Sequence, residues 1–462
     1  MSHNNFCILP FIHLATNTNG TARLCCKSNT HMPVTDSNGS AYTIDNTSLN
    51  DIFYSDYMNN VRQRILNDEK LPECSVCFNE EDLYYDNQSN KYPSKRRREN
   101  QKWLHKPDTK LTYDFEELVN NPKIRYYDIR MGNLCNLKCR MCWPHFSSQI
   151  QKENETFKKL NQTVWHKSVN FENIWENTEL FWKSIQDNIL DLEEITFVGG
   201  EPTLHDGMYD LIYELVSRGI SKNVRLKITT NMTNIQPRFL ESLQHFKKVI
   251  IDVSMDGIGP VQEYIRYPSD WKTIENNIDS LLDLNLPNTV INISPVIQLY
   301  NIFDLKNIID WYIDKLVDGD KLRNIQLMLN QLYEPNYLSF ELLNASAREQ
   351  WYNEIFVPCN QVINRVIKNI ENYDVNCRWR WRELEETRKR IVGIAKRLHL
   401  VYLKKDSGNE IHNAKLPYEK FSYNKEMSEQ CIAYTKQLDI HRKQSVYDII
   451  PKFNEMINDE KK

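Results

Sequence analysis

Between about residues 122 and 335 the chain alternates short apolar runs with longer amphipathic ones. The apolar runs are Ile124–Ile129, Glu194–Val198, Val224–Thr230, Val249–Val253, Val290–Ser294 and Asn324–Leu329. Their length, their alternation and their content of Ile and Val are those of strands. Stretches between them, such as Met208–Arg218 and Trp271–Leu284, space their apolar residues as a helix does. Repeated strand–helix units predict an α/β protein whose strands run parallel, joined by right-handed crossovers. From about residue 340 the pattern turns helical and rich in charge. Trp379–Arg390 there predicts an amphipathic helix with Glu and Arg or Lys spaced for side-chain pairing.

Composition narrows the class. The chain has 462 residues, enough for two or three domains, with 40% hydrophobic and 26% charged residues, as expected of a soluble globular protein. A net charge of −4 gives no general attraction to nucleic acid or anionic membrane, and neither is expected as a partner. No apolar run has the length of a membrane span. Met1–Pro10 lacks the basic start and apolar centre of a signal peptide, so a cytoplasmic location is expected. The 11 cysteines are odd in number and mostly grouped, which in a reducing compartment favours metal ligation over disulfides. The dense basic run Lys95–Arg98 reads as a solvated linker. Cys359, Cys377 and Cys431 are isolated and read as ordinary thiols.

The tightest group is Cys135, Cys139 and Cys142, spaced C-x3-C-x2-C just after the first predicted strand. Three thiolates in one loop suit zinc or an iron–sulfur cluster. No fourth cysteine follows nearby, although His145 would complete a Cys3His zinc site. The loop resembles the signature of radical S-adenosylmethionine (radical SAM) enzymes, with Met141 where that family usually has an aromatic residue. The resemblance implies a 4Fe–4S cluster on Cys135, Cys139 and Cys142, with SAM chelating the fourth iron. It further implies reductive cleavage of SAM to a 5′-deoxyadenosyl radical that takes hydrogen from a substrate. The six strand–helix units then correspond to the family's partial (β/α)6 TIM-like barrel.

In such barrels the chemistry gathers at the C-terminal ends of the strands, and the remaining motifs fall there. Gly199-Gly200-Glu201-Pro202 follows the second strand and is similar to the family's motif for the amino group of SAM. Two glycines permit close backbone approach, and a carboxylate accepts from an ammonium. Read without the family, the same residues make a strand-to-helix turn with Pro202 opening the helix. Ser254-Met255-Asp256-Gly257, with Arg266 beyond it, resembles a segment of peptide-modifying members. The resemblance implies that Ser254 and Arg266 contact SAM, and Asp256 fits a turn or helix cap equally well. Thr229–Asn231 and the region 292–298 fall where the family places ribose and adenine contacts.

A second group lies at the N-terminus. Cys7, Gly20 and Cys25 follow the C-x9–15-G-x4-C pattern of SPASM and twitch domains, and Cys74 and Cys77 add a C-x2-C pair. The resemblance implies a second, auxiliary 4Fe–4S cluster on Cys7, Cys25, Cys74 and Cys77, with Cys26 an alternative to Cys25. A structural zinc knuckle is the other reading. His13 reads as a packed histidine. The expected organisation is residues 1–110 as twitch-like domain and linker, 111–338 as radical SAM partial barrel and 339–462 as a C-terminal helical region. The expected function is radical SAM catalysis on a peptide or protein, fed by an electron donor such as flavodoxin or ferredoxin. A non-catalytic iron–sulfur redox or scaffold protein and a zinc-stabilised binding module are the alternatives.

Overall fold

The computed structural model describes residues 5–85, 94–104, 115–167, 169, 175–318, 321–369, 378–398, 402–406, 409–413 and 424–458. Cys377 lies outside them. At the centre is an eight-stranded sheet. Its strands include β1 (His13–Thr16), β2 (Ala22–Arg23), β3 (Tyr126–Met131), β4 (Glu194–Gly199), β5 (Arg225–Thr230), β6 (Lys248–Val253) and β7 (Thr289–Ile293). The eighth is Ile325–Leu327. The spatial order runs from Ile325–Leu327 through β7, β6, β5, β4, β3 and β1 to β2. Every neighbouring pair is parallel except β1 with β2. The six predicted strands are all present and adjacent in chain order, forming a partial TIM-like barrel.

Alternation along these strands separates two faces. Ile195, Phe197, Leu226, Ile228, Val249, Ile251, Ile291 and Ile293 are buried and share one apolar core with helix residues such as Met208, Ile212, Ile274 and Ile278. The opposite face is polar. It carries Asp128, Thr196 and Lys227 in one row of register partners, and Thr229, Asp252, Asn292 and Gln326 in the next. Lys227 Nζ lies 2.8 Å from Asp252, and Asn292 Nδ2 donates to Asp252 at 2.7 Å. The apolar core thus lies between the sheet and its helices, and these polar side chains line the other face.

Two features depart from the sequence reading. The N-terminal segment supplies β1, which pairs with β3 through His13↔Tyr126 and Ala15↔Asp128 and extends the sheet beyond six strands. The basic run Lys95–Arg98 is no solvated linker but the start of helix Lys95–Leu104. Arg96 and Trp103 are buried there. The helix lies against the first residues of three strands: Lys102 Nζ donates to Glu194 at 2.6 Å, Arg225 pairs with Glu194 at 3.0 Å, and Lys95 sits over the Tyr126 ring. It therefore stops the N-terminal end of the barrel.

Past the sheet, helix Arg378–Arg397 covers the edge strand. Arg380 Nη1 donates to the Ile325 carbonyl at 2.8 Å, and Thr387 Oγ1 to that of Leu327 at 3.4 Å. This helix was predicted over Trp379–Arg390. Among the described residues no helix is long and apolar enough to cross a membrane.

Candidate active site

The loop after β3 is built from its own backbone outward. Ser148 N donates to Asn133 O at 2.7 Å, Ser147 Oγ to Leu137 O at 2.6 Å, and Cys142 N to Cys139 O at 3.0 Å. Lys138 N and Arg140 N donate to Tyr267 O and Ile265 O at 2.6 and 2.8 Å, docking the loop on the segment that carries Arg266. Cys135 and Cys139 are buried with Leu137, and Met141 and Cys142 pack against them. Met141 thus covers the thiols as an apolar side chain.

All three thiols are pushed up, chiefly by burial. Cys135 also feels the charges of Cys139 and Cys142, and Cys142 rises to about 12 with Cys139 as its second cause. Buried thiols that repel one another as thiolates suit a site in which bound metal supplies the compensating positive charge. A single zinc ion needs its donors within about 2.0–2.3 Å of one point. Among the described residues no group of three or more His, Cys, Asp or Glu side chains converges so closely, and His145 is exposed. Three thiols, with His145 exposed, fall one donor short of a closed structural zinc site.

The Gly-Gly-Glu turn faces the loop. Gly200 N reaches Met131 O and Gly132 O at 3.3 and 3.2 Å, and Glu201 N donates to Leu134 O at 2.8 Å. A Cβ on Gly200 would stand 2.2 Å from Leu134 O, so the glycine is required by contact with the cysteine loop itself. Glu201 is buried, and burial pushes its carboxyl up against the pull of its hydrogen bonds. Its Oε1 accepts from Thr203 N, Thr203 Oγ1 and Thr230 Oγ1 at 3.2, 2.7 and 2.8 Å, and its Oε2 from Asn231 N at 2.7 Å. Oε2 retains an acceptor position. Thr230 and Asn231, soft candidates by sequence, thus meet Glu201, and Asn231 Nδ2 also donates to Asn136 of the loop at 2.9 Å.

The third motif closes the circle. Ser254 N donates to Thr230 O at 2.8 Å, and its side chain is half-buried. Asp256 is fully buried and is neither turn residue nor cap. Its Oδ2 accepts from Arg266 Nε and its Oδ1 from Val296 N, both at 2.7 Å. Arg266 Nη1 points at Cys139 Sγ at 3.7 Å. Its Nη2 has no hydrogen-bond partner among the described residues. The three sequence motifs therefore meet at the C-terminal ends of β3, β4 and β6.

The N-terminal cysteines also come together. Burial is the largest cause that raises each of these thiols; Cys7 also feels Cys74 and Cys77, Cys25 feels Cys26, Cys7 and Cys77, and Cys74 feels Cys25 and Cys77, whereas among the described residues no cysteine raises Cys77. Cys26 faces elsewhere. It hydrogen-bonds Asp128 on β3 and is raised to about 11 by burial and then by that carboxylate. Arg23 lies beside this group. It is buried, its Nη2 donates to Ser28 O, and its Nε and Nη1 have no partner among the described residues. An orphaned buried cation is costly, and an anionic cluster on the four thiolates would relieve it. His13 is packed as expected, its ring stacked on Tyr126 at 4.2 Å and its Nδ1 3.0 Å from Tyr126 O.

Sequence reasoning missed the tail's part. Helix Lys425–Arg442 lies over the loop, with Arg140 Nη2 donating to Asp439 at 2.6 Å and Arg442 making a fork with Glu153 at 3.0 and 2.7 Å. Only charge pairing nearly 300 residues apart signals this, and one sequence does not show who pairs with whom.

Residues 129–312 match the sequence model of the family described as the radical SAM superfamily. GTP 3′,8-cyclase of Alkaliphilus oremlandii (strain OhILAs) is 24% identical over 249 residues, 54% of this chain and 65% of the cyclase. That of Synechococcus elongatus (strain ATCC 33912 / PCC 7942 / FACHB-805) is 23% identical over 239 residues, 51% and 65%. The chain thus spans just under two thirds of the length of these curated relatives. Among solved structures, Streptococcus suis SuiB bound to S-adenosylmethionine overlaps 60% of this chain and 59% of its own, with 14% identity and a TM-score of 0.35. Native anSMEcpe with bound AdoMet and Cp18Cys peptide overlaps 52% and 59%, with 18% identity and a TM-score of 0.31. The matched segment contains the cysteine loop, the Gly-Gly-Glu turn and Ser254 to Arg266, and over that segment this chain is similar to the radical SAM superfamily.

Proposed function

We propose that this chain is a radical SAM enzyme in which Cys135, Cys139 and Cys142 hold a 4Fe–4S cluster. When bound, the cluster and SAM supply a 5′-deoxyadenosyl radical by reductive cleavage. The observation that carries this reading is the meeting of three motifs around one buried three-thiol loop. Glu201 Oε2 is oriented by Asn231 to accept from the amino group of SAM, with Gly199 and Gly200 bringing the turn against the loop. Arg266, held by Asp256, offers Nη2 to the carboxylate of SAM, and Ser254 lies beside them. The polar face of the sheet receives the substrate, and helix Lys95–Leu104 excludes water from below.

The finer assignments belong to the same proposal. Cys7, Cys25, Cys74 and Cys77 hold an auxiliary 4Fe–4S cluster, with Cys25 rather than Cys26 as ligand because Cys26 turns to Asp128. Residues 1–110, 111–338 and 339–462 serve as auxiliary-cluster region, barrel and helical tail. The substrate is a peptide or protein, by likeness of the N-terminal cysteines to SPASM and twitch domains. A flavodoxin or ferredoxin donates the electron, in the cytoplasm, where the thiols stay reduced. A nucleoside triphosphate is the second reading, favoured by the names of the curated relatives. The test is anaerobic reduction of iron-loaded protein with SAM. The expected product is 5′-deoxyadenosine, and its absence after verified loading would overturn the proposal.

A further inference from the structure

The loop that carries the three cysteines is held from a great distance in sequence. Arg140, between Cys139 and Cys142, is fully buried. Its backbone N donates to Ile265 O at 2.8 Å, and its carbonyl accepts from Tyr434 Oη. Its Nε donates to Tyr264 O at 3.0 Å, and its guanidinium lies 3.7 Å from the centre of the Tyr264 ring. Among the described residues the carboxylate paired with it is Asp439, at 2.6 Å, 299 residues away, with Gln444 Oε1 at 3.0 Å beside it. Asp439 is itself fixed, because Tyr264 Oη donates to its Oδ1 at 2.9 Å and Val446 N to its Oδ2 at 2.8 Å. A second clasp lies one turn on. Arg442 grips Glu153, whose Oε1 is 3.5 Å from Lys138 Nζ. Both residues that straddle Cys139 are thereby tied to helix Lys425–Arg442.

We propose that Asp439 is a positioning residue for the cysteine loop, acting through Arg140 on the geometry and reduction potential of the cluster held there. The inference rests on the reading of the loop given above. A buried guanidinium keeps its place only while paired, so Asp439 fixes the main chain from Arg140 to Cys142. Groups beyond the ligands set ligand orientation and cluster potential, and their loss commonly costs about 10–100-fold in affinity or activity. Asp439 touches neither substrate nor SAM in this account.

The test uses full-length protein reconstituted without oxygen, comparing Asp439→Asn, Asp439→Glu and Tyr434→Phe with Glu429→Gln, an exposed position on the same helix. Electron paramagnetic resonance reads the loop cluster, its midpoint potential and the SAM concentration that shifts its signal. For Asp439→Asn we expect an altered signal, a displaced potential and about tenfold more SAM to reach the shift. Asp439→Glu should recover part of each, and Glu429→Gln should match the parent. Tyr434→Phe removes one hydroxyl and gives the same changes more weakly, which keeps the test decisive if Asp439→Asn does not fold. Parental signal, potential and SAM response in both Asp439→Asn and Tyr434→Phe would overturn the inference. Cys135→Ala separates the two levels: if it leaves the cluster signal intact, the reading of the loop fails, whatever Asp439 does.

Discussion

At the scale of residues, the site is a set of charges buried in fixed pairs. Asp256 and Arg266 form one such pair, and breaking it strands the partner. Asp256→Asn should destabilise the fold by about 3–5 kcal/mol because it leaves Arg266 uncompensated, read as a lowered melting midpoint. Arg266→Lys should fold but weaken SAM binding by about tenfold, since one ammonium cannot serve Asp256 and Cys139 at once, read by calorimetric titration. His13 gives a pH effect. Burial lowers its imidazole to about 4, outweighing the pull of Asp128, and Lys95 pushes the same way as burial. Between about pH 6.5 and 4 the unfolded chain binds a proton that the folded one refuses, so stability falls as pH is lowered through that window. His13→Gln should show a smaller loss of melting midpoint between pH 7 and pH 5 than the parent. Ser254, Glu201 and Arg266 were legible from sequence as motif positions. The Asp256–Arg266 pair was not, because a short Asp-Gly segment suits a turn as well as an ion pair.

At the scale of elements, the six barrel strands were legible because each is an apolar run bracketed by an amphipathic helix. Their observed ends differ from the predicted ones by a residue or two, as fraying of strand ends allows. β1 was hidden because its four residues are all buried and show no alternation. The Lys95–Leu104 helix was hidden by its charge, since Lys95 and Lys102 over Tyr126 and Arg96 over Phe78 look like solvent-facing residues when read one by one. The turn between β4 and the next helix shows how elements share a constraint. Gly200→Ala would drive a methyl into the Leu134 carbonyl, so the expected outcome is loss of loop-bound iron with the N-terminal site still loaded. Separate Mössbauer signals for the two sites would check this, and full loading of the loop would refute it.

At the scale of the whole molecule, two cysteine groups flank the sheet, joined through β1 and β3. The two 4Fe–4S clusters proposed above predict about eight iron atoms per chain, and Cys74→Ala should reduce this to about half while SAM cleavage stays detectable. Complete loss of cleavage in well-folded Cys74→Ala would mean that the N-terminal site takes part in the radical chemistry. The tail's helix over Trp379–Arg390 was legible in the sequence, but the tail's hold on the cysteine loop was not, because it lies in pairings with Arg140 and Glu153 that only the folded chain reveals. Those pairings set an order of events during synthesis. The four N-terminal thiols have all left the ribosome once residue 77 has, but the brace on Arg140 does not exist until Asp439 emerges. A nascent chain arrested near residue 420 should therefore take up iron at the first site and leave the second unable to retain it, so maturation of the loop site waits until Asp439 has emerged.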